Sequence, residues 1–304
     1  MTPVEMVPTD CAICHSPGNA REIYPPNFDA GAFNAGVFSA RRLPDRIHYR
    51  IVRCTACGLV RSDPVADPET LASLYARSTF EYGCEVAGLR QTYGRYLSKL
   101  DALVPARDAL LEIGCGNGFF LEEALDRGYR SVRGVEPSHE AVSRAADRVR
   151  PHIVCSTMRP GIFDPETFDT VCLFQVFDHI SDPNALLDEC LRILKSGGVL
   201  LILNHNVASV SARLLGERSP IIDIEHTYLY SPSTLARLLE AHGFGIVAGG
   251  PVANTYSLKY LVRLVPLPSP IKHVLLGLFE RGVPGSIRLT VPLGNLFLAG
   301  RKPR

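Results

Sequence analysis

The chain has 304 residues, a formal net charge of +1 and only 21 % charged residues. That length can bury a sizeable core, as one domain with appendages or as two small ones, and the even balance leaves no large basic field for nucleic acid. No apolar run approaches the ~18 residues of a spanning helix, and Met1 to Asp10 lacks a basic start and an apolar stretch. No secretory signal is therefore expected, and a reducing, cytoplasmic setting is.

Residues 1–63 make the first unit. Cys11-Ala-Ile-Cys14 opens it and Cys54-Thr-Ala-Cys57 closes it. Each C-x-x-C turns two thiolates toward one metal, and two such knuckles supply a complete tetrahedral sulfur set for zinc. Four cysteine ligands leave no position open for water, so the expected zinc is structural. A redox dithiol needs a helix start beside one C-x-x-C, and neither copy has one. Of the five other cysteines, Cys115, Cys155, Cys172 and Cys190 lie in apolar or helical contexts and read as small hydrophobes. Arg41, Arg42, Arg46, Arg50, Arg53 and Arg61 lend some charge to a nucleic-acid-binding finger. The alternation His48-Tyr49-Arg50-Ile51-Val52-Arg53 instead reads as a half-buried strand with solvated arginines.

Residues 64–108 read as helical, entered at Pro64 and Pro68. Leu71, Leu74 and Tyr75 line one helical face; Leu89, Tyr93, Tyr96, Leu97 and Leu100 line a longer one. Residues 109–304 follow as the main domain. Leu110, Leu111 and Ile113 end a buried strand, Gly114-Cys115-Gly116-Asn117-Gly118 forms a turn without obstructing side chains, and Phe119-Phe120-Leu121 begins a helix. Glu136 closes a second apolar run eighteen residues after Gly118. A doubly wound sheet places there an acid that accepts hydrogen bonds from a ribose diol. The unit therefore binds something adenosine-like. A dinucleotide fingerprint G-x-G-x-x-G requires a last glycine where Phe119 stands. NAD, another adenosine-containing ligand and a purely structural loop remain the alternatives at this point.

Further on, Ser138 caps a helix, and His152 to Cys155, Phe168 to Phe174 and Val199 to Leu203 read as strands. Helices Pro183 to Leu194 and Pro232 to Ala241 separate the later strands, and Gly245 to Val252 is the next one. Strands spaced by such helices give a mostly parallel sheet covered on both faces, an α/β doubly wound architecture. Asn295 to Arg301 is the expected last strand, after an apolar insertion at 255–290. Tyr260, Leu261, Leu264 and Val265, then Val274, Leu275, Leu278 and Phe279, form two apolar faces there. They pack on the sheet or on another subunit, or form a groove for an apolar acceptor with Lys259, Arg263 and Lys272 at a membrane surface.

Glu112-x-Gly114-x-Gly116-x-Gly118 resembles the first motif of class I S-adenosylmethionine-dependent methyltransferases. The resemblance implies a seven-stranded sheet whose last two strands form an antiparallel edge hairpin. It also implies S-adenosyl-L-methionine as cofactor, with Glu112 ordering the glycine loop at the methionine end and Glu136 holding both ribose hydroxyls. Gly114, Cys115, Gly116, Gly118, Phe119, Pro137, Gln175, Tyr82 and Tyr93 are the further cofactor-binding candidates, and the 64–108 segment, with Tyr75 or Tyr82, closes the pocket. The run from Tyr49 to Val60 with Cys54 and Cys57, followed by Pro64 and Leu74-Tyr75, is similar to the zinc-binding part of a bacterial group acting on sugars or other cell-envelope precursors. A small-molecule acceptor, such as a sugar or a lipid-linked precursor, is the partner that this implies.

Methyl transfer from a sulfonium needs an aligned acceptor and, for oxygen or carbon acceptors, loss of a proton. Bases belong at the carboxyl ends of the fourth and fifth strands. Gln175-Val176-Phe177-Asp178-His179 resembles the family segment that usually ends Leu-Glu-His, with Phe177 and Asp178 as departures. His205 follows the fifth strand, and Glu225-His226, in the acceptor-side segment 205–231, resembles the Glu-His-x-x-x-x-Ser stretch of sugar C-methyltransferases. His226 with Glu225 is the leading candidate for base or acceptor contact, and His179 and His205 are its rivals. His179 and His226 each also have a purely structural alternative. A nucleic-acid or protein methyltransferase, or an idle scaffold of the same fold, is the competing functional reading.

Overall fold

In the computed structural model, residues 4–16, 18–28, 37, 38, 40, 41, 46–81, 85–104, 106–264, 269–280, 285 and 287–304 are described. The central sheet has seven strands: β1 Ala109–Ile113, β2 Ser131–Val135, β3 Ile153–Val154, β4 Phe168–Phe174, β5 Leu194–His205, β6 Gly245–Ser257 and β7 Arg288–Arg301. Their spatial order is β3-β2-β1-β4-β5-β7-β6. All pairings from β3 to β5 are parallel, while β7 runs antiparallel to both β5 and β6. Every residue of β4 is buried, as expected for the centre of a sheet covered on both faces. Along β1, Leu111 and Ile113 pack with Leu186, Leu187 and Leu235 on one face, while Leu110 packs with Leu97 and Phe120 on the other. This is the two-residue alternation of a strand written into the sequence.

The helices are α1 Pro68–Ala76, α2 Val86–Ser98, α3 Phe119–Asp126, α4 His139–Ser143, α5 Pro183–Ile193, α6 Val210–Leu215, α7 Pro232–Ala241, α8 Leu258–Leu264 and α9 Ser269–Glu280. Local chemistry sets their starts. Asp67, Ser138, Asp182, Ser209 and Ser231 each accept a backbone N–H of the first turn, with proline leading α1, α5 and α7. Asp169, second residue of β4, accepts Ala109 N–H at 2.8 Å and Lys195 Nζ at 2.9 Å, tying the entrances of three strands together.

Two expectations change. The 64–108 segment is not wholly helical: Val65–Ala66 pairs with Met6–Val7, and Phe80–Glu81 pairs with Ala40–Arg41. The last strand starts at Arg288 rather than Asn295, and its outer part pairs with Asn254 to Ser257. The insertion is therefore the outer end of a long β6–β7 hairpin carrying α8 and α9. At the N-terminal side, Ala20–Tyr24, Ile51–Cys54 and Val60–Ser62 form an antiparallel sheet. Its edge is completed by Tyr228–Leu229, from the far side of the chain. Among the described residues no helix is long and apolar enough to cross a membrane.

Candidate functional site

β1 and β4 are adjacent, yet their connections leave in opposite directions, so a crevice opens at their carboxyl ends. A cavity of roughly 830 Å³ lies there. Gly114, Gly116, Glu136, Pro137 and Gln175 line one part, and His179, His205, Glu225 and His226 line another. One cavity thus gathers all four catalytic candidates and five of the eleven cofactor candidates singled out from the sequence.

The glycine loop is shaped by backbone conformation. Gly114 has φ 74°, and a Cβ there would lie 2.3 Å from Val176 Cγ2. Glu136 accepts Gly116 N–H at 2.9 Å through Oε2 and Ser138 N–H at 2.9 Å through Oε1, which holds the loop against the end of β2. Burial raises its carboxyl, and those two amides oppose the rise. Glu112 is buried on β1, and burial followed by the Glu136 charge pushes it well above the usual range. Its Oε2 and Gln175 Oε1 are buried acceptors without a hydrogen-bond partner among the described residues. A cradle that a side chain at Gly114 would fill, with the orphaned Gln175 acceptor on the cavity wall and Glu112 buried off it, fits a ligand with an ammonium group and ribose hydroxyls.

Cys115, Gly118, Phe119 and Tyr93 take other positions. Cys115 Sγ fills the space above Gly134, and Gly118 faces Val149 and Ile153. Tyr93 stacks on Phe119 and Phe174, with centroids 5.7 and 4.3 Å apart, inside the α2–α3 core. None of these four lies on the cavity wall, because strand and helix geometry turn them into the sheet. Tyr82 lies outside the described residues.

On the other side, Asp178 is the hub. It is fully buried at the start of the short turn after β4. Its Oδ2 lies 2.6 Å from His205 Nδ1 and 3.7 Å from His226 Nε2, while Oδ1 lies 3.6 Å from His179 Nε2. Burial alone would raise this carboxyl, but His226, His205 and His179 outweigh it and hold Asp178 well below the usual carboxylate range. Burial pushes His179 down to about 3 and lowers His226 as well. At neutral pH the Asp178 carboxylate thus lies beside two neutral imidazoles, those of His179 and His226.

Tautomers follow from the partners. His226 Nδ1 is 2.8 Å from Ile221 O, so it donates there. His205 Nδ1 donates to Asp178, which leaves its Nε2 with the lone pair, and the ring is a quarter exposed at the cavity. His179 Nδ1 meets the Tyr75 hydroxyl at 3.0 Å. Sequence reading treated Asp178 as a departure from a family pattern and gave it no role. Its flanking position beside His179 was the available signal, but the link to His205 is tertiary. Tyr256, Tyr260 and Leu293 of the long hairpin also reach the cavity. Of these, Tyr260 belongs to the apolar face that the sequence offers as an acceptor groove, whereas no spacing in the sequence points to Tyr256 or Leu293.

The Sγ atoms of Cys11, Cys14, Cys54 and Cys57 all lie within 4.8 Å of one another, with pairs at 3.2 and 3.5 Å. A tetrahedral set at Zn–S of about 2.3 Å needs S···S distances near 3.8 Å, so the thiols have the right chemistry and spacing for zinc. They do not line the cavity. The module reaches it indirectly: Ser62 Oγ donates to His226 O at 2.7 Å, and Thr227 N–H donates to Asp178 O at 2.8 Å.

A family model described as a methyltransferase domain matches residues 88–248. The mitochondrial ubiquinone biosynthesis O-methyltransferase of Homo sapiens is 31 % identical over 165 residues, covering 49 % of this chain and 44 % of that protein. The chain thus spans less than half the length of that relative. The ubiquinone biosynthesis O-methyltransferase of Nitrosomonas europaea is 26 % identical over 231 residues, covering 69 % of this chain and 95 % of its own length. Among solved structures, a SAM-dependent methyltransferase from Archaeoglobus fulgidus aligns with 20 % identity and a TM-score of 0.48 over 70 % of this chain and 94 % of its own. Sheet order, glycine cradle and family match agree: the chain belongs to the methyltransferase-domain family.

Proposed function

We propose that the protein transfers a methyl group from S-adenosylmethionine to an oxygen of a small-molecule acceptor, with His205 as general base. The observation that carries this reading is the 2.6 Å contact between His205 Nδ1 and Asp178 Oδ2 at a cavity whose other wall is the glycine loop. When bound, adenosylmethionine supplies an activated methyl group on a sulfonium. Gly114, Gly116 and Glu136 bind its adenosine portion, and the orphaned Gln175 acceptor faces the methionine end. Asp178 fixes the His205 tautomer, so the Nε2 lone pair is the atom that takes the acceptor proton. Positive charge developing on His205 is compensated by the buried Asp178 carboxylate.

His226 and Glu225 are acceptor contacts in this scheme. His226 is 5 % exposed and its Nδ1 is committed to Ile221, so it is less able than His205 to exchange a proton with a ligand. The relatives named ubiquinone biosynthesis O-methyltransferases support oxygen as the acceptor atom. The Glu225-His226 resemblance supports a sugar or sugar-like precursor instead, which His205 serves equally well. Cys11, Cys14, Cys54 and Cys57 would hold one structural zinc.

The test is single-turnover methyl transfer with radiolabelled adenosylmethionine against a panel of phenolic, catecholic and glycosyl acceptors. Parent protein labels one class, and His205→Ala fails on that class while binding cofactor normally. Full labelling by His205→Ala together with a dead His226→Ala would move the base to His226.

A further inference from the structure

We propose that α6, α9 and the outer β6–β7 hairpin form one face that docks on an anionic lipid surface, with the mouth of the cavity opening at that face. Three elements each turn an ordered apolar stripe to solvent. On α9, Ile271, Val274 and Leu278 fall at i, i+3 and i+7 and are 50, 65 and 43 % exposed. On α6, Val210 and Leu214 fall at i and i+4 and are 73 and 81 % exposed. Ile287, just before β7, and Leu289 and Leu293 on it share a parity, and all are more than two-fifths exposed. Single exposed hydrophobes are ordinary on a protein surface, whereas gathered stripes mark an interaction site.

The contacts bring these stripes together. Ser211 Oγ donates to Leu293 O at 3.3 Å, which joins α6 to β7. Leu258 N–H donates to Ile287 O at 2.8 Å, and α8 packs on α9. Leu214 and Leu293 are also cavity-lining residues, so the apolar face runs into the cavity wall. Tyr256 pairs with Leu289 and lines the cavity too, while the neighbouring pair Thr255–Thr290 bonds to itself and to Arg95 on the α2 side. The apolar parity of the hairpin is thus the cavity parity.

Charge identifies the occupant. Between residues 255 and 294 the sequence holds Lys259, Arg263, Lys272, Arg281 and Arg288 against a single acid, Glu280, in a chain whose net charge is only +1. An apolar stripe fringed by lysine and arginine is the composition that lies in the headgroup region of anionic lipid. A second copy of the chain would set the same basic fringe against itself, a repulsive arrangement. The position of the cavity mouth adds that an acceptor with an apolar tail enters from the bilayer; this last clause rests on the catalytic reading above, and docking itself does not.

Co-sedimentation with phosphatidylcholine vesicles, with and without phosphatidylglycerol, tests it. The parent protein pellets with the anionic vesicles, stays in solution with the neutral ones, and is released as salt rises. Val274→Ser with Leu278→Ser lowers the partition coefficient on the order of tenfold or more, by loss of buried apolar surface. Lys272→Glu lowers it on the order of fivefold or more. Val210→Ser, on a separate element and off the cavity wall, repeats the loss if the α9 double variant does not fold. All variants bind adenosylmethionine like the parent in calorimetry, a readout that needs no acceptor and no base. Parent protein that remains in solution with anionic vesicles overturns the proposal. So do folded variants that pellet as well as the parent, or a concentration-dependent dimer in light scattering that the double variant abolishes.

Discussion

The two walls of the cavity are built in different ways. The cofactor wall is local: Gly116 N–H reaches Glu136 across 20 residues, within one strand–turn–helix–strand unit. The acceptor wall is assembled at long range. Tyr75 meets His179 across 104 residues, and Ser62 holds His226 across 164. A wall made from one local unit is fixed by backbone conformation and tolerates little change in it. A wall made by tertiary packing depends on supports far from the cavity, and those supports are where it can be broken without touching the cofactor.

The largest effect is expected on the local wall. Gly114→Val places branched carbons where Val176 already stands, at a φ that L-residues rarely adopt. Adenosylmethionine binding by calorimetry should fall below detection while the protein still melts cooperatively. Retained affinity would show that the cradle is not the cofactor site. On the assembled wall, His205→Ala should lower turnover on the order of 10²–10⁴-fold, the usual contribution of a positioned base. Cofactor affinity should stay within about twofold, less than 0.5 kcal/mol. Asp178→Asn should reproduce most of the turnover loss, since an amide of the same shape cannot compensate a charged imidazole; an unchanged rate would leave Asp178 a purely structural hub.

The same contrast explains what was legible in the sequence. The Gly114–Glu136 unit and the cysteine knuckles follow from spacing, because each is a short segment whose geometry its own residues dictate; the seven-stranded order with its antiparallel edge comes only from the family resemblance. His179, His205 and His226 were visible as candidates at strand ends. Their ranking was not, since it depends on which ring nitrogen faces Asp178 and which faces the Ile221 carbonyl. Tyr93 read as a cofactor contact because an aromatic stripe on a helix looks alike whether it faces a ligand or a core. Its stacking on Phe174 decides the matter. The long hairpin was hidden for another reason: Arg288 to Leu293 alternates weakly, and its partner strand lies beyond two helices.

A support of the assembled wall can also be removed. Cys54 ends the strand Ile51–Cys54, which pairs with Val60–Ser62, and that strand in turn pairs with Tyr228–Leu229 just after His226. Cys54→Ser, or a strong chelator if the four thiols hold zinc, should therefore lower the melting temperature. The drop should be roughly 2–4 °C for each kcal/mol lost in a chain of this size class. Turnover should fall with it while adenosylmethionine affinity is largely kept, because no cysteine of the set lines the cavity. Equal loss of cofactor binding would mean that the two walls are not separable.

The smallest expected effect is a pH dependence confined to the assembled wall. Burial pushes His179 from its ordinary 6.5 down to about 3 in the folded protein. Between those values the unfolded chain binds a proton that the folded chain refuses, so stability rises with pH across the window and is complete above about 6.5. Falling pH therefore costs about 1.4 kcal/mol per unit for each such histidine. His226, lowered by the same cause, adds to the slope. His179→Gln keeps a hydrogen-bonding group beside the Tyr75 hydroxyl but has no proton to gain. Urea unfolding at several pH values between about 4 and 7 should show a steep loss of stability in the parent. In His179→Gln the slope should be shallower by about one proton. Glu136, in contrast, titrates from a raised position on the local wall, so its contribution does not distinguish the two proteins. Parallel slopes in parent and variant would mean that His179 takes up its proton in the folded state, and His179 would then be a charged partner of Asp178 rather than a neutral ring beside it.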